Sequence, residues 1–221
     1  MMKAFAGFDP GVCRRVGGGG EGRLLAGLVR AGAGKRVAEL GCGCGEVAIR
    51  VALAHPEVRV DALELRERLC VEARRLVEVY GVGARVRVLT GDVRALPDAM
   101  TSGHYAEVLC NPPFFSPRSG RLPPDPDRAA ARFELMGGLE DFIRAAVSLL
   151  EPGGSFHLIH RPERLTELLS GCVRHGLQPW RLVPVHDRPD RAAVLVLLSA
   201  RKGSGGSGLI LEAAQGLHAE R

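Results

Sequence analysis

Arg36-Val37-Ala38-Glu39-Leu40-Gly41-Cys42-Gly43-Cys44-Gly45-Glu46 is the stretch on which the fold turns. Residues 36–40 read as a short buried strand. Three glycines then break the chain, and a helical pattern runs from Glu46 to about Ala54. Strand, glycine loop and helix in that order let the backbone approach a nucleotide-like ligand closely, because glycine has no Cβ to hold it off. The spacing is G-x-G-x-G and departs from the G-x-G-x-x-G of dinucleotide loops. Glu39, two residues before Gly41, would face a cationic or amine-bearing ligand, whereas a phosphate would be repelled by a carboxylate there. Gly41, Gly43, Gly45 and Glu39 are therefore the first candidate ligand residues.

Outward from this loop the alternation repeats. Residues 58–65 form the next strand, and Glu64 at its end suits bidentate hydrogen bonding with ribose hydroxyls. An amphipathic helix over 66–80 follows, with Leu69, Ala73, Leu76, Val77 and Tyr80 inward. A third strand, 86–89, leads to Asp92, placed to accept from an adenine amino group while the Val93 N–H donates to a ring nitrogen. Taken singly, the two glutamates could be solvated strand-end charges and Asp92 a turn residue.

The fourth strand, 106–110, delivers Asn111-Pro112-Pro113-Phe114. Two prolines forbid continuation as strand or helix, and Asn111 and Pro112, each preceding a proline, are pushed into extended conformations. The result is a stiff loop at a strand's carboxyl end, where open α/β sheets bind ligands. Its Asn111 and Pro112 carbonyls can accept the two protons of a planar NH₂ group, and Phe114 can stack on that group's ring. An Asn-Pro pair by itself is an ordinary turn signal.

Around this centre, 21–30 reads as a helix stopped by Gly32 and Gly34, 139–150 as a helix, 151–154 as a turn, and 155–160 as a fifth strand. Residues 161–175 read as helix, 179–186 and 192–199 as closing strands. The expectation is one α/β, doubly wound, Rossmann-like domain over 21–200 with a mostly parallel seven-stranded sheet and helices on both faces. Residues 1–20 form a flexible glycine-rich lead-in, and 201–221 a Gly/Ser linker with a short tail.

With 46% hydrophobic residues, 221 residues can bury a real core. No apolar run approaches the roughly 20 residues that span a bilayer, nor is there a signal-like h-region before Asp9 and Pro10, so no membrane association and a cytoplasmic location are expected. Six cysteines without a CxxC pair, and without histidine at ligand spacing, read as reduced small residues with no metal site. A net charge of +5 permits a nucleic-acid partner. The irregular segment 115–137 carries Arg118, Arg121, Arg128 and Arg132 beside the proline loop.

Glu39-x-Gly-x-Gly-x-Gly, Glu64, Asp92 and Asn111-Pro112-Pro113-Phe114 at successive strand ends resemble class I S-adenosylmethionine-dependent methyltransferases. A narrower resemblance rests on Asn-Pro-Pro-Phe-Phe-x(3)-Ser-Gly-Arg from Asn111, Ala130-Ala131-Arg132-Phe133-Glu134, Leu150-x-Pro-Gly-Gly and His160-Arg161-Pro162-Glu163-Arg164-Leu165. These segments are similar to the bacterial tRNA(Val) adenine-N6 methyltransferases, which modify the adenine next to the anticodon. The resemblance implies an enzyme with S-adenosylmethionine as cofactor and tRNA as substrate. Asn111, Pro112, Pro113 and Phe114 would be its catalytic loop, and Glu39, Gly41, Gly43, Gly45, Glu64, Asp92 and Val93 its cofactor site. Phe115, Arg118, Arg121, Arg132, Arg161 and Arg164 would face the RNA. The chain departs from this family at 17–20, where glycines replace an aromatic, and at Glu21, which stands in an aspartate's place. Rival readings are a methyltransferase of another amine (protein glutamine, rRNA guanine or DNA adenine) and an inert RNA- or adenosine-binding module on the same fold.

Overall fold

The computed structural model describes residues 20–100, 104–114, 137–203 and 208–217. Within them the order is α1 (Gly20–Ala26), β1 (Arg36–Leu40), α2 (Glu46–Ala54), β2 (Arg59–Glu64), α3 (Glu67–Val79), β3 (Val86–Thr90), β4 (Tyr105–Cys110), α4 (Leu139–Leu149), β5 (Leu150–His160), a 3₁₀ turn (Pro162–Arg164), α5 (Leu165–Arg174), β6 (Leu177–His186), β7 (Leu195–Lys202), β8 (Ile210–Leu211) and β9 (Gln215–Gly216).

The strands form one sheet in the order β3-β2-β1-β4-β5-β7-β6-β8, with β9 also on β6. All pairs are parallel except those of β7, which runs antiparallel to β5 and β6. The α/β doubly wound expectation holds, with nine strands in place of seven. The two additions are the dipeptides β8 and β9, too short to show a period of two in sequence. They lie along the edge of β6, where Glu212 receives Arg181 in a two-pronged ion pair, Nε and Nη2 donating at 2.6 and 2.7 Å.

Alternation along the strands builds two apolar layers. Val37, Val60, Ala62, Leu109 and Ile159 meet α1, α2 and the Leu76–Val77 end of α3. Ala38, Leu40, Leu63, Val108, Cys110, Phe156 and Leu158 face the other way, against α4 and α5. Successive strand residues point to opposite faces, so near-continuous apolar strands are what a sheet covered on both sides requires.

Three local readings change. α1 ends at Ala26, short of the expected Arg30, because its last turn tightens into i→i+3 bonds from Leu28 to Leu25 and Val29 to Ala26, while the Arg30 N–H leaves for the Glu107 carboxylate at 2.8 Å. Gly20, expected in the lead-in, opens that helix; residues 1–19 lie outside the described residues. The turn expected at 151–154 is instead an irregularity inside β5, where the register on β4 shifts between Tyr105–Leu150 and Glu107–Ser155.

Asp61 and the Glu107–His157–Ser199 line pair several buried polar groups towards the end of the sheet away from the glycine loop. Asp61 accepts from Arg36 (2.6 Å), Tyr105 (2.7 Å) and Arg87 (2.8 Å). Burial raises its pKa, but these hydrogen bonds outweigh burial and hold the carboxyl below its usual range. Glu107, His157 and Ser199 form a relay across β4, β5 and β7, with contacts of 3.1 and 2.8 Å. All three lie within the protein core, so this Ser–His–Glu line ties strands together and offers no nucleophile to solvent.

Candidate active site

Leu40 of β1 pairs with Cys110 of β4, so the glycine loop and Asn111 leave the sheet from neighbouring strands. This is also where strand order reverses: β2 and β3 lie to one side of β1, and β4 and β5 to the other. A crevice opens at such a switch point because the connections on either side cross opposite faces of the sheet. The structure therefore brings together two motifs far apart in the chain, because β2 and β3 step away from β1 on one side and β4 then returns to its other side.

The loop itself is shaped by backbone demands. Gly41, Gly43 and Gly45 have φ of 73°, 56° and 82°, a region where side chains other than glycine are strained. The Gly41 and Cys42 N–H groups both donate to the Leu63 carbonyl of β2 at 2.8 and 2.9 Å. A Cβ on Gly43 would meet nothing within 4 Å, so this part of the loop borders open space in which a ligand can lie against backbone.

Glu39 is buried, 3% exposed, and its Oε2 accepts from the Ala48 N–H at 2.8 Å. Helix α2 has no side-chain cap from Gly45, and Glu39 supplies one from the neighbouring strand. Burial pushes its pKa up to about 8, against the Ala48 hydrogen bond, and the charges of Glu46 and Glu64 add to the rise. Without a cation opposite, this carboxyl is largely protonated at neutral pH; an ammonium brought beside it would restore its charge.

Glu64 stands at the end of β2 as expected, but both oxygens already have partners. Oε2 accepts from Gly43 N at 2.9 Å, and Oε1 from the Arg66 backbone and Nε at 3.0 and 2.8 Å. Asp92 is held in the same manner, accepting from the Arg94 N–H at 2.8 Å and from its guanidinium, which keeps the carboxyl below its usual range. In each case the arginine two residues after the strand-end acid folds back on it. Sequence reading missed Arg66 and Arg94, although the repeated acid-x-Arg spacing was visible. Hydroxyls of a ribose at Glu64, or an amine at Asp92, must share or displace these guanidinium groups. Val93 follows, half-buried against the α4 layer.

Pro112 is buried, while Asn111, Pro113 and Phe114 are partly exposed. Among the described residues the Asn111 amide has no hydrogen-bond partner. Phe114 packs on the α1–α2 layer, with its ring 5.3 Å from that of His160. Phe142 of α4 closes the other side of Gly41, its Cε1 lying 3.3 Å from where a Cβ would stand.

Arg161 and Arg164 lie just beyond β5, each paired with a carboxylate on its own segment: Arg161 with Glu163 at 2.6 Å, Arg164 with Glu167 at 2.5 Å. Phe115, Arg118, Arg121 and Arg132 lie outside the described residues. Among the described residues no group of three or more His, Cys, Asp or Glu side chains could hold a metal, and no helix is long and apolar enough to cross a membrane. Cys42, Cys70, Cys110 and Cys172 are free, and burial raises the Cys42 thiol pKa. Cys44 is disulfide-bonded, which corrects the reading of all six as reduced; spacing along a chain does not report the distance between Cα atoms that decides bridging.

A profile of the methyltransferase small domain family matches residues 18–174. The tRNA1(Val) (adenine(37)-N6)-methyltransferase of Erwinia tasmaniensis is 31% identical over 186 residues, which are 82% of this chain and 73% of that protein. The protein of the same name from Porphyromonas gingivalis is 30% identical over 72% of this chain and 62% of its own length. Among solved structures, a predicted O-methyltransferase from Agrobacterium tumefaciens superposes with a TM-score of 0.72 at 28% identity, covering 89% of this chain and 87% of that one.

Proposed function

Because the chain belongs to the methyltransferase small domain family and is an S-adenosylmethionine-dependent methyltransferase, we propose that its acceptor is the exocyclic N6 of adenine in tRNA, at the adenine next to the anticodon of valine tRNA. The observation that carries this reading is the Leu40–Cys110 register, which sets a glycine cofactor loop beside an Asn-Pro-Pro-Phe loop. The names of the two bacterial relatives agree with it.

The residues present suit the cofactor. Glu39 would face its amino-acid ammonium, the Gly41–Gly45 loop its backbone-contacting part, Glu64 its ribose and Asp92 with Val93 its adenine. Bound there, S-adenosylmethionine supplies a methyl group activated by a sulfonium centre.

The chain's own contribution is orientation. Adenine N6 is a poor nucleophile because its lone pair is delocalised into the ring. Asn111 Oδ1 and the Pro112 carbonyl would accept its two N–H groups, turning the nitrogen towards sp³ and aiming the lone pair. Each proline lacks an N–H, so few local donors compete for those acceptors. Phe114 would stack on the flipped base, worth on the order of 1–3 kcal/mol against the few kcal/mol needed to unstack it. Good orientation can lower a barrier by up to roughly 7–11 kcal/mol. After transfer the surplus proton leaves to solvent, so no strong base is required beforehand.

RNA would lie over the arginine-bearing segment. Arg118, Arg121 and Arg132 with Phe115 are proposed contacts, and Arg161 and Arg164 would have to exchange Glu163 and Glu167 for phosphate. Transcribed valine tRNA carrying guanine in place of the adenine next to the anticodon tests the assignment. Methylation of the normal transcript and none of the changed one is expected; equal methylation of both would place the acceptor elsewhere.

A further inference from the structure

His160 is the last residue of β5, fully buried, and stands where the next β4–β5 pair would fall: the ladder ends at Cys110–Leu158, and two residues on are Pro112 and His160. On its other side β5 is still paired, His160 opposite Val196. Its Nδ1 accepts from the Arg161 backbone N–H at 2.8 Å, which assigns the ring proton to Nε2. That Nε2 is buried and has no partner, whereas a buried N–H is satisfied in the great majority of native positions. The ring centroid of Phe114 lies 5.3 Å away, the two planes inclined by 60°.

The neighbouring loop has the opposite imbalance. Asn111-Pro112-Pro113-Phe114 lies past the end of the ladder and its two prolines contribute carbonyls without N–H groups. A donor lacking an acceptor thus sits, through the Phe114–His160 ring contact, beside a loop whose two prolines add carbonyls and no N–H groups. Burial, with the nearby Arg164 charge, pushes the His160 pKa down to about 4, so the imidazole facing the loop is neutral and can donate only through Nε2.

We propose that His160 is a positioning residue for methyl transfer: its Nε2–H donates to a carbonyl of the 111–114 loop when that loop closes on the acceptor base, fixing the Pro112 carbonyl and the Phe114 ring. The inference rests on the acceptor-loop role given above. It is separate from the three strand-end motifs proposed to hold the cofactor, which lie on β1, β2 and β3.

Two amide substitutions separate donor from packing. In His160→Gln the side-chain amide can reach the Nε2 position; in His160→Asn the side-chain oxygen can replace Nδ1 as acceptor for Arg161 but no donor reaches the loop. Purified full-length variants are compared for kcat with total tRNA, for S-adenosylhomocysteine affinity and for thermal midpoint. Expected are kcat within about threefold of wild type for the Gln variant and a fall of tenfold or more for Asn, with S-adenosylhomocysteine affinity unchanged in both. Asn active and Gln inactive would overturn the proposal, since His160 would then serve only Arg161. Equal activity in both would overturn it as well. Should wild type methylate no tRNA, the acceptor assignment fails by itself, and the His160 inference is then read from the imidazole ¹⁵N spectrum. A shift of the Nε2 resonance when S-adenosylhomocysteine and adenosine are added together supports it, and an unmoved resonance overturns it. Variants that do not fold are replaced by that same spectrum of wild type.

Discussion

Replacing Glu39 by glutamine should make the protein more stable in mild alkali and weaken its hold on cofactor. Glu39 is a buried carboxyl whose pKa burial raises from 4.5 to about 8. The folded state therefore binds its proton more tightly than the unfolded chain does. Stability from this group is complete below pH 4.5 and is lost as pH rises through 8. From pH 6 to pH 8 the loss is on the order of 2 kcal/mol, at 1.36 kcal/mol per unit. For a domain of this size that is a fall in thermal midpoint of roughly 4–8 °C. Glutamine keeps an acceptor for Ala48 N–H and has nothing to ionise. Scanning calorimetry of the ligand-free protein from pH 5.5 to 8.5 should show the wild-type midpoint falling and that of Glu39→Gln nearly level on this account, the two curves separating above neutral pH. Calorimetric titration with S-adenosylmethionine should show weaker binding by the variant, because the amide cannot offer the ammonium a full charge. Parallel midpoint curves would refute the burial argument, and unchanged affinity would remove Glu39 from the cofactor site.

Other substitutions test separate parts of the account. Asn111→Ala should abolish methyl transfer while leaving S-adenosylmethionine affinity within about twofold, since the proposed role of the amide is to hold the acceptor alone; equal loss of both would refute that division. Gly22→Ala places a Cβ 2.9 Å from the Glu46 carboxyl carbon, where Glu46 is ion-paired with Arg50, and should cost about 1–3 kcal/mol in chemical denaturation. Lys202→Met should cost about 1–3 kcal/mol by the same measurement, because its ammonium donates to the Val147 and Leu150 carbonyls at 2.6 and 2.7 Å at the end of α4. Binding of tRNA should weaken steeply as salt rises, each phosphate contact adding about 0.7–0.9 to the slope of log affinity against log salt; a flat response contradicts a phosphate-bearing partner.

Much of the fold was legible because its signals are local. The strand–glycine–helix order at 36–54 and the prolines after Cys110 fix where elements begin and stop, whatever surrounds them. The four-residue excess predicted for α1 arose because periodicity continues through Leu28 and Val29, while the competitor for the Arg30 N–H is Glu107, distant in sequence. The β8 and β9 strands were invisible for a similar reason: they are specified by the edge of β6 and by Arg181, with no pattern of their own. At the site, sequence located the acids but not their occupancy. Glu39 turned inward to cap α2, and Glu64 and Asp92 were each claimed by an arginine two residues on. What distinguishes His160 is a buried ring nitrogen without a partner, which no sequence pattern signals.

Transfer of labelled methyl from S-adenosylmethionine to total tRNA, followed by nucleoside analysis, tests the central claim most directly. N6-methyladenosine is expected in valine tRNA from the wild-type protein and none from Asn111→Ala. A wild-type protein that binds S-adenosylmethionine yet leaves every tRNA adenine unmethylated would contradict it.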